Sequence, residues 1–544
     1  VRRAIEVEPE ELLRYAAGSM VVAVDEVISR KGACTSKGSI PVSGRYTRTR
    51  PLEQDYTLHH EKVLGTGLNG PVLLATSNAD GRPHAVKSFK KCGLPRRRLR
   101  ELKNEAELYL TLDHPHVARL EMVFETDDTL HLVMEYMQGG ELFGRLTAQQ
   151  AYSEEAAADT TYQMLLAVAY LHGRQIAHRD LKLENFLYER PDTDTLKLID
   201  FGFAKYWDEG TVMSQACGSV HYVAPEVLKR SYTTQADMWS VGIIAYMLLT
   251  GRPAFHGTDT DILRQVKAGR PSWSQRFFTL SSTARSFVQG CLMKDPDRRL
   301  TASQALEHNW IRYRHQAKQA SVCADILPSL RSYARSSHLR RALLSMLAWS
   351  MSTEDQAELR EQFLLIDSDK TGTITLQELK AILQEHFQVD GAEAETIFNS
   401  LDADCNEEIE YSEFLAATCL GHVKVHEDVL RKTFMRFDRD GTGLISAGDI
   451  RTVLGGYLGH ADVEDMIREA DTSGDGMIDY DEFIACLERP LSECTVEEQP
   501  PARRERSRLR TEQLGTVIDG ILEKDKSLGV EAMMVRTGRH FRTT

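Results

Sequence analysis

Apolar and polar residues begin to alternate near residue 56, and Leu130-His131-Leu132-Val133-Met134-Glu135-Tyr136-Met137 predicts a buried strand running into a connector. Over 153–175 and 225–311 the apolar spacing becomes helical. A small strand-rich lobe followed by a larger helical one is therefore expected, an α+β arrangement. Further on, Leu339, Leu343, Leu344 and Leu347 share one helical face, with Trp349 close by. Residues 1–55 open as a plausible helix and become Ser/Gly/Arg/Thr-rich from about 29 to 50, which reads as a flexible basic arm. Beyond 490 a Pro/Glu-containing stretch leads to the basic run 503–510 and a possible short helix near 512–526. No run of eighteen apolar residues is present to cross a membrane.

At 544 residues the chain is too long for one core, so about three domains are expected. Its nine cysteines form no C-x-x-C pair, which favours reduced thiols over a disulfide framework or zinc site. The expected location is intracellular and cytoplasmic, with membrane association left undetermined. Charge is uneven: residues 354–489 hold 32 acidic and 11 basic residues, although the whole chain carries a net charge of only −14. An acidic module joined to a basic remainder suggests cation binding and an intramolecular partner. Nothing aromatic interleaves the basic run at 503–510, so no nucleic-acid partner is expected.

Phosphoryl transfer to a hydroxyl needs a carboxylate to orient the acceptor and oxygen ligands for magnesium. His178-Arg179-Asp180-Leu181-Lys182-Leu183-Glu184-Asn185 meets both needs, through Asp180 as base and Asn185 as metal ligand. Lys182 is placed to reach the transferring phosphate as a point charge. Asp200-Phe201-Gly202 follows fifteen residues later and supplies the second magnesium ligand, Asp200. This stretch resembles the protein kinase family, and Lys182 resembles its Ser/Thr branch.

That resemblance gives Gly65-Thr66-Gly67-Leu68-Asn69-Gly70-Pro71-Val72 a purpose, because glycines let backbone amides approach the triphosphate. Ala85-Val86-Lys87 would follow on the next strand, Lys87 pairing with the phosphates and held by Glu105, with Glu107 the competing neighbour. The resemblance further implies an adenine-binding hinge at Glu135 and Met137, with Met134 guarding the deeper pocket. It implies a Glu226–Arg299 pair and an Asp237 brace under the catalytic loop. Gln215 stands where many kinases are phosphorylated; it accepts no phosphate, so control is expected from elsewhere in the chain. Glu141 and Glu184 resemble acids that pair with arginines preceding the acceptor residue.

Four twelve-residue loops start at 367, 402, 438 and 471, and each fits the EF-hand calcium pattern with ligands at positions 1, 3, 5, 7, 9 and 12. Loop one offers Asp367, Asp369, Thr371, Thr373 (backbone), Thr375 and Glu378. Loop two offers Asp402, Asp404, Asn406, Glu408 (backbone), Glu410 and Glu413, with Glu407 in place of the turn glycine, where a positive φ would be strained. Loop three offers Asp438, Asp440, Thr442, Leu444 (backbone), Ser446 and Asp449, whose short side chain weakens calcium or favours magnesium. Loop four offers Asp471, Ser473, Asp475, Met477 (backbone), Asp479 and Glu482. Ile374, Ile409, Ile445 and Ile478 all hold position eight, which implies two paired lobes.

Between the halves, residues 312–350 carry seven basic residues against the single acid Asp325, and read as a basic amphipathic target for the acidic module. Arg331-Ser332-Tyr333-Ala334 has the spacing of a pseudosubstrate. The order kinase, basic junction, four EF-hands resembles the calcium-dependent protein kinases. The resemblance implies a bilobal kinase domain over 56–311, an autoinhibitory junction over 312–352 and an all-α calmodulin-like domain over 353–489. Residues 1–55 and 490–544 flank them as an extension and a tail. It implies ATP, Mg2+ and Ca2+ as cofactors and protein substrates with basic residues before the acceptor. A calcium-binding pseudokinase scaffold is the alternative, against which stand Lys87, Asp180, Asn185 and Asp200, all present.

Overall fold

The alternation from residue 56 folds as an antiparallel sheet because one face of each strand is apolar and needs cover. A computed structural model describes residues 45–48, 50–67, 70–314, 322–422, 427–438, 441–454 and 460–488. The expectations for Leu68, Asn69, Asp440, the opening helix and the tail lie outside the described residues. Strands β1 (Tyr46–Thr47), β2 (Tyr56–Gly67), β3 (Gly70–Ser77), β4 (Pro83–Lys90), β5 (Leu120–Glu125) and β6 (Thr129–Glu135) form one sheet in the order β1-β5-β6-β4-β3-β2. Its register sets Val72 beside Lys87 and Ala85 beside Met134. Helix α1 (Arg96–Leu110) lies between β4 and β5 in the chain and carries Glu105.

Where the composition reads as a flexible arm, residues 45–48 instead add strand β1 parallel to β5. The cause is a buried acid far along the chain: Glu125 accepts from the Tyr46 hydroxyl at 2.7 Å and pairs with Arg48 at 3.1 Å. Burial opposes its charge, but Lys91, Lys103 and Tyr46 hold its carboxyl down at about 2.

The larger lobe is built on α2 (Glu154–Gly173) and α3 (Gln235–Thr250). Ser153 caps α2 by accepting from the Ala156 amide at 3.1 Å, and acids fill its first turn. Helix α3 is apolar on nearly every side and is buried accordingly, with Trp239 fully enclosed. Short strands β7 (Phe186–Tyr188) and β8 (Leu196–Leu198) pair beneath the hinge.

Helices α4 (Ile326–Ala334) and α5 (His338–Ser350) form the junction, followed by α6 (Asp355–Ile366), which leads into the first calcium loop. Leu339, Leu343, Leu344 and Leu347 are all buried in one core with Phe363, Phe414 and Phe483 of the calcium module. Each leucine contributes about 1.5–3 kcal/mol of burial, so this face is the main hold on the junction. The pseudosubstrate-like segment is held there too: Arg331 pairs with Glu393 at 2.6 Å and Tyr333 is buried.

Strands β9 (Ile374–Thr375) and β10 (Glu408–Ile409) pair loops one and two, and Ile445 bridges Ile478 in loops three and four. The two-lobe expectation from position eight is met. Helix α7 (Tyr411–His422) follows loop two, and α8 (Glu427–Phe437) opens the second lobe. No described helix is long and apolar enough to cross a membrane.

The module packs directly on the kinase half. The Ser412 amide donates to Asp113 at 2.9 Å, and Arg174 pairs with Glu410 of loop two at 3.0 Å. Gly372, at φ +85°, sits so close that a Cβ there would lie 2.6 Å from His114 and 2.7 Å from Tyr170. Trp349 at the end of α5 meets the guanidinium groups of Arg119 (4.6 Å from its ring centre) and Arg45 (5.0 Å). Arg82 and Arg436 donate to its carbonyl, a cationic close to the helix C-terminus. Arg436 is anchored in turn on Asp80 at 3.0 Å.

Candidate active site and calcium loops

Between the lobes lies a cavity of about 520 Å³, the size of a nucleotide-scale site. It is lined by Gly65, Thr66, Val72, Ala85, Lys87, Glu105, Met134, Glu135, Met137, Asp180, Lys182, Asn185 and Asp200, residues expected from six separate stretches of sequence. Gly67 ends β2 and Gly70 begins β3, close along the chain to the lining residues Gly65, Thr66 and Val72 but not among them. All of the described lining residues fall between Leu64 and Asp259, so the junction helices stand clear of it.

Lys87 reaches Glu105 at 3.1 Å and Asp200 at 2.8 Å, which decides for Glu105 over Glu107. Burial disfavours the ammonium, but Glu105 and Asp200 outweigh it and hold Lys87 above the ordinary lysine range. Burial likewise opposes ionisation of Asp200, and Lys87 reverses that, drawing its carboxyl below the usual range. Asp200 takes φ +64° and Arg179 φ +69°, left-handed conformations held only because the surroundings over-determine them.

Asp180 pairs closely with Lys182 and accepts from the Ser219 hydroxyl at 2.9 Å. Asn185 donates to the Asp180 carbonyl at 2.9 Å, tying the last residue of the octet back to the base. Asp237 accepts from the amides of His178 (2.9 Å) and Arg179 (2.8 Å), so it braces this loop from below. The Glu226–Arg299 pair is formed, with one contact at 3.0 Å. Arg179 donates to the Phe203 carbonyl at 2.6 Å and reaches the Tyr232 hydroxyl, which in turn donates to the Gln215 carbonyl at 2.7 Å. The side chains of Arg179 and Tyr232 thus hold the main chain of this segment at Phe203 and Gln215.

Glu141 and Glu184 both line the cavity, and so does Asp259. Asp259 opens the helix over 259–268 and has no motif around it, so the sequence offers no signal for it.

Among the calcium loops, the carboxylates of Asp367, Asp369 and Glu378 and those of Asp402, Asp404 and Glu413 each converge to within 4.8 Å. Burial first, then the neighbouring Glu378 and Asp369, push Asp367 up to about 7; Glu413 is raised well above its ordinary range by burial, Glu410 and Asp404. Clustered carboxylates of this kind, two of the three in each loop buried, fit a cation, which would remove the repulsion. Glu407 sits at φ +70°, the strained conformation expected of it, yet loop two closes around its ligands as loop one does. In loop three, Asp438 accepts from the Thr442 (3.0 Å) and Gly443 (2.8 Å) amides, and the short Asp449 accepts from Ser446. In loop four, Asp471 accepts from the Gly474 and Gly476 amides, while Glu482 reaches back to Thr472 and Ser473. Glu407→Gly should relieve about 1 kcal/mol of left-handed strain and raise the calcium affinity of loop two several-fold. Calorimetric titration of the two proteins checks this.

A nucleotide-sized cleft with an assembled Lys87–Glu105–Asp200 contact, joined to paired acidic loops, defines a protein kinase with an attached calcium-binding module. The protein kinase domain model matches residues 58–311, and the EF-hand domain pair model matches 356–419 and 427–487. The chain is similar to "Calcium-dependent protein kinase 9" of Oryza sativa subsp. japonica, 34% identical over 84% of this chain and 81% of that protein. "Calcium-dependent protein kinase 33" of Arabidopsis thaliana is 35% identical over 79% of this chain and 84% of its own length. "Calcium-dependent protein kinase 19" of the same plant is 34% identical over 84% of each. The chain belongs to the calcium-dependent protein kinases, a family whose kinase domain uses ATP and whose EF-hands bind calcium.

Proposed function

We propose that this kinase transfers the ATP γ-phosphate to protein hydroxyls preceded by basic residues, and that its junction holds it inactive until calcium loads its own EF-hands. Asp180 orients the acceptor hydroxyl and takes its proton, while Lys182 steadies the transferring phosphate. Asn185 and Asp200 would hold magnesium, which neutralises phosphate charge when bound. Lys87, kept in place by Glu105, meets the phosphates, and the backbone of Gly65–Gly67 and Gly70 covers them. Glu135 and Met137 present hinge backbone to adenine. The loop ligands named above would hold calcium, with loops one and two already convergent.

The observation that carries this reading is a pairing of two states: the Lys87–Glu105–Asp200 contact is made while the leucine face of α5 is buried among EF-hand residues. This is the arrangement expected of the released, active enzyme. The test is phosphate transfer to a basic peptide titrated with calcium: activity should rise with calcium and vanish with a chelator. Identical turnover with calcium bound and removed would overturn the reading.

The acidic rim gives a separate expectation. Glu184, which Tyr222 approaches at 3.5 Å, faces the cleft. Glu184→Gln should raise KM about 10- to 100-fold for an arginine-containing peptide, the value of a charged hydrogen bond, and leave KM for its alanine counterpart unchanged.

A further inference from the structure

A chain of buried charges runs from the calcium module to the edge of the nucleotide cleft. Arg360, on α6 of the module, places one guanidinium nitrogen 3.0 and 3.2 Å from the two carboxylate oxygens of Glu189. Lys197 lies 3.1 Å from the same Glu189 carboxylate and 2.7 Å from Glu135. Three of the four side chains are less than a tenth exposed: Arg360 8%, Glu189 2% and Lys197 5%. The signs alternate, minus at Glu135, plus at Lys197, minus at Glu189 and plus at Arg360.

Within the kinase Lys197 is shared between two acids, Glu189 and Glu135, and the nearby Arg119 charge bears on Glu135. Removing one partner of a buried ionic cluster is far costlier than removing an exposed one, because the remaining charge has lost its water as well. The fourth charge comes only from the regulatory half. Glu189 is also part of the hinge by its main chain, since its carbonyl accepts from the Gln138 amide at 3.0 Å. Glu135 is tied at the other end, its carboxylate accepting from the Arg119 amide at 3.2 Å and its own amide donating to the Arg119 carbonyl at 2.9 Å. Arg190, next along the chain, pairs with Glu354 of the module, so the docking at this point has two ionic contacts.

We propose that Arg360 is a positioning residue for ATP: docked calcium module neutralises Glu189 and thereby sets the hinge that receives adenine. The module then acts on the kinase twice, once by holding the junction and once by completing the support of the nucleotide cleft. This rests on the assignment of Glu135 and Met137 as the hinge.

The test uses the full chain at saturating calcium, with initial rates measured against both ATP and peptide concentration. Arg360→Met keeps the bulk of the stem and removes the charge. It should raise KM for ATP about tenfold, alter kcat less than twofold, and move the calcium midpoint upward, because the docked state that calcium favours has lost a contact. The double variant Glu189→Gln/Arg360→Met leaves only the neutral Glu135–Lys197 pair and should recover most of the lost ATP affinity. Direct titration with a fluorescent ATP analogue, which needs no turnover, should show the same order of affinities. An unchanged ATP affinity in Arg360→Met overturns the proposal. So does a loss that the double variant fails to recover, because Arg360 would then serve docking alone. Calcium-stimulated transfer by the unaltered chain in the same assay reports separately on the kinase reading itself.

Discussion

Replacing Asp180 by Asn should reduce phosphate transfer by about 100- to 10,000-fold, the span that a positioned general base contributes. The change keeps shape and removes the charge that accepts the substrate proton. Asn185 would still bond the main-chain carbonyl at residue 180, and Asp237 would still hold the loop through amides, so the fold around the site persists. Calcium affinity, read by calorimetry, should be unaltered, because no EF-hand residue lines the cleft among those described. Asp180→Asn retaining more than a tenth of wild-type activity would remove Asp180 from the role of base.

The second large effect concerns which calcium loops matter. Loops one and two face the kinase: Gly372 lies against His114 and Tyr170, Glu410 pairs with Arg174, and the Ser412 amide reaches Asp113. Glu378→Gln together with Glu413→Gln removes the last ligand of each and should abolish calcium activation. A switch from mostly off to mostly on requires about 5.5 kcal/mol of calcium preference for the active state. Losing both kinase-facing sites should therefore cost 100-fold or more in activity at saturating calcium. Glu482→Gln, in loop four, should shift the calcium midpoint upward and preserve the maximum rate. Equal loss from both changes would mean that the kinase-facing loops hold no privileged position.

The chemistry of the cleft was legible because each part is encoded locally. Asp180 and Asn185 must lie five residues apart to do their work, and Asp367 must lie eleven before Glu378 to share an ion. Position-eight isoleucines foretold the β9–β10 pair for the same reason. What stayed hidden is the set of contacts whose partners are remote. Arg360 and Glu189 are 171 residues apart, and Arg436 and Asp80 are 356 apart. A lone arginine in a calcium-loop helix reads as solvated until the fold brings a buried acid to it. The ordering of residues 45–48 was hidden likewise: basic composition suggested a loose arm, and Glu125 turned it into a strand.

Gly372 carries a consequence for how far the two halves can be exchanged. Most EF-hand turns ask for glycine to satisfy the loop alone; here the missing side chain also makes room for an aromatic ring and an imidazole of the other half. A foreign sensor grafted in its place, equally able to grip the ion, would arrive with the wrong relief on its outer face. The enzyme's two functions are thus inherited as a matched pair, and drift at His114 or Tyr170 would have to be answered by the calcium loop.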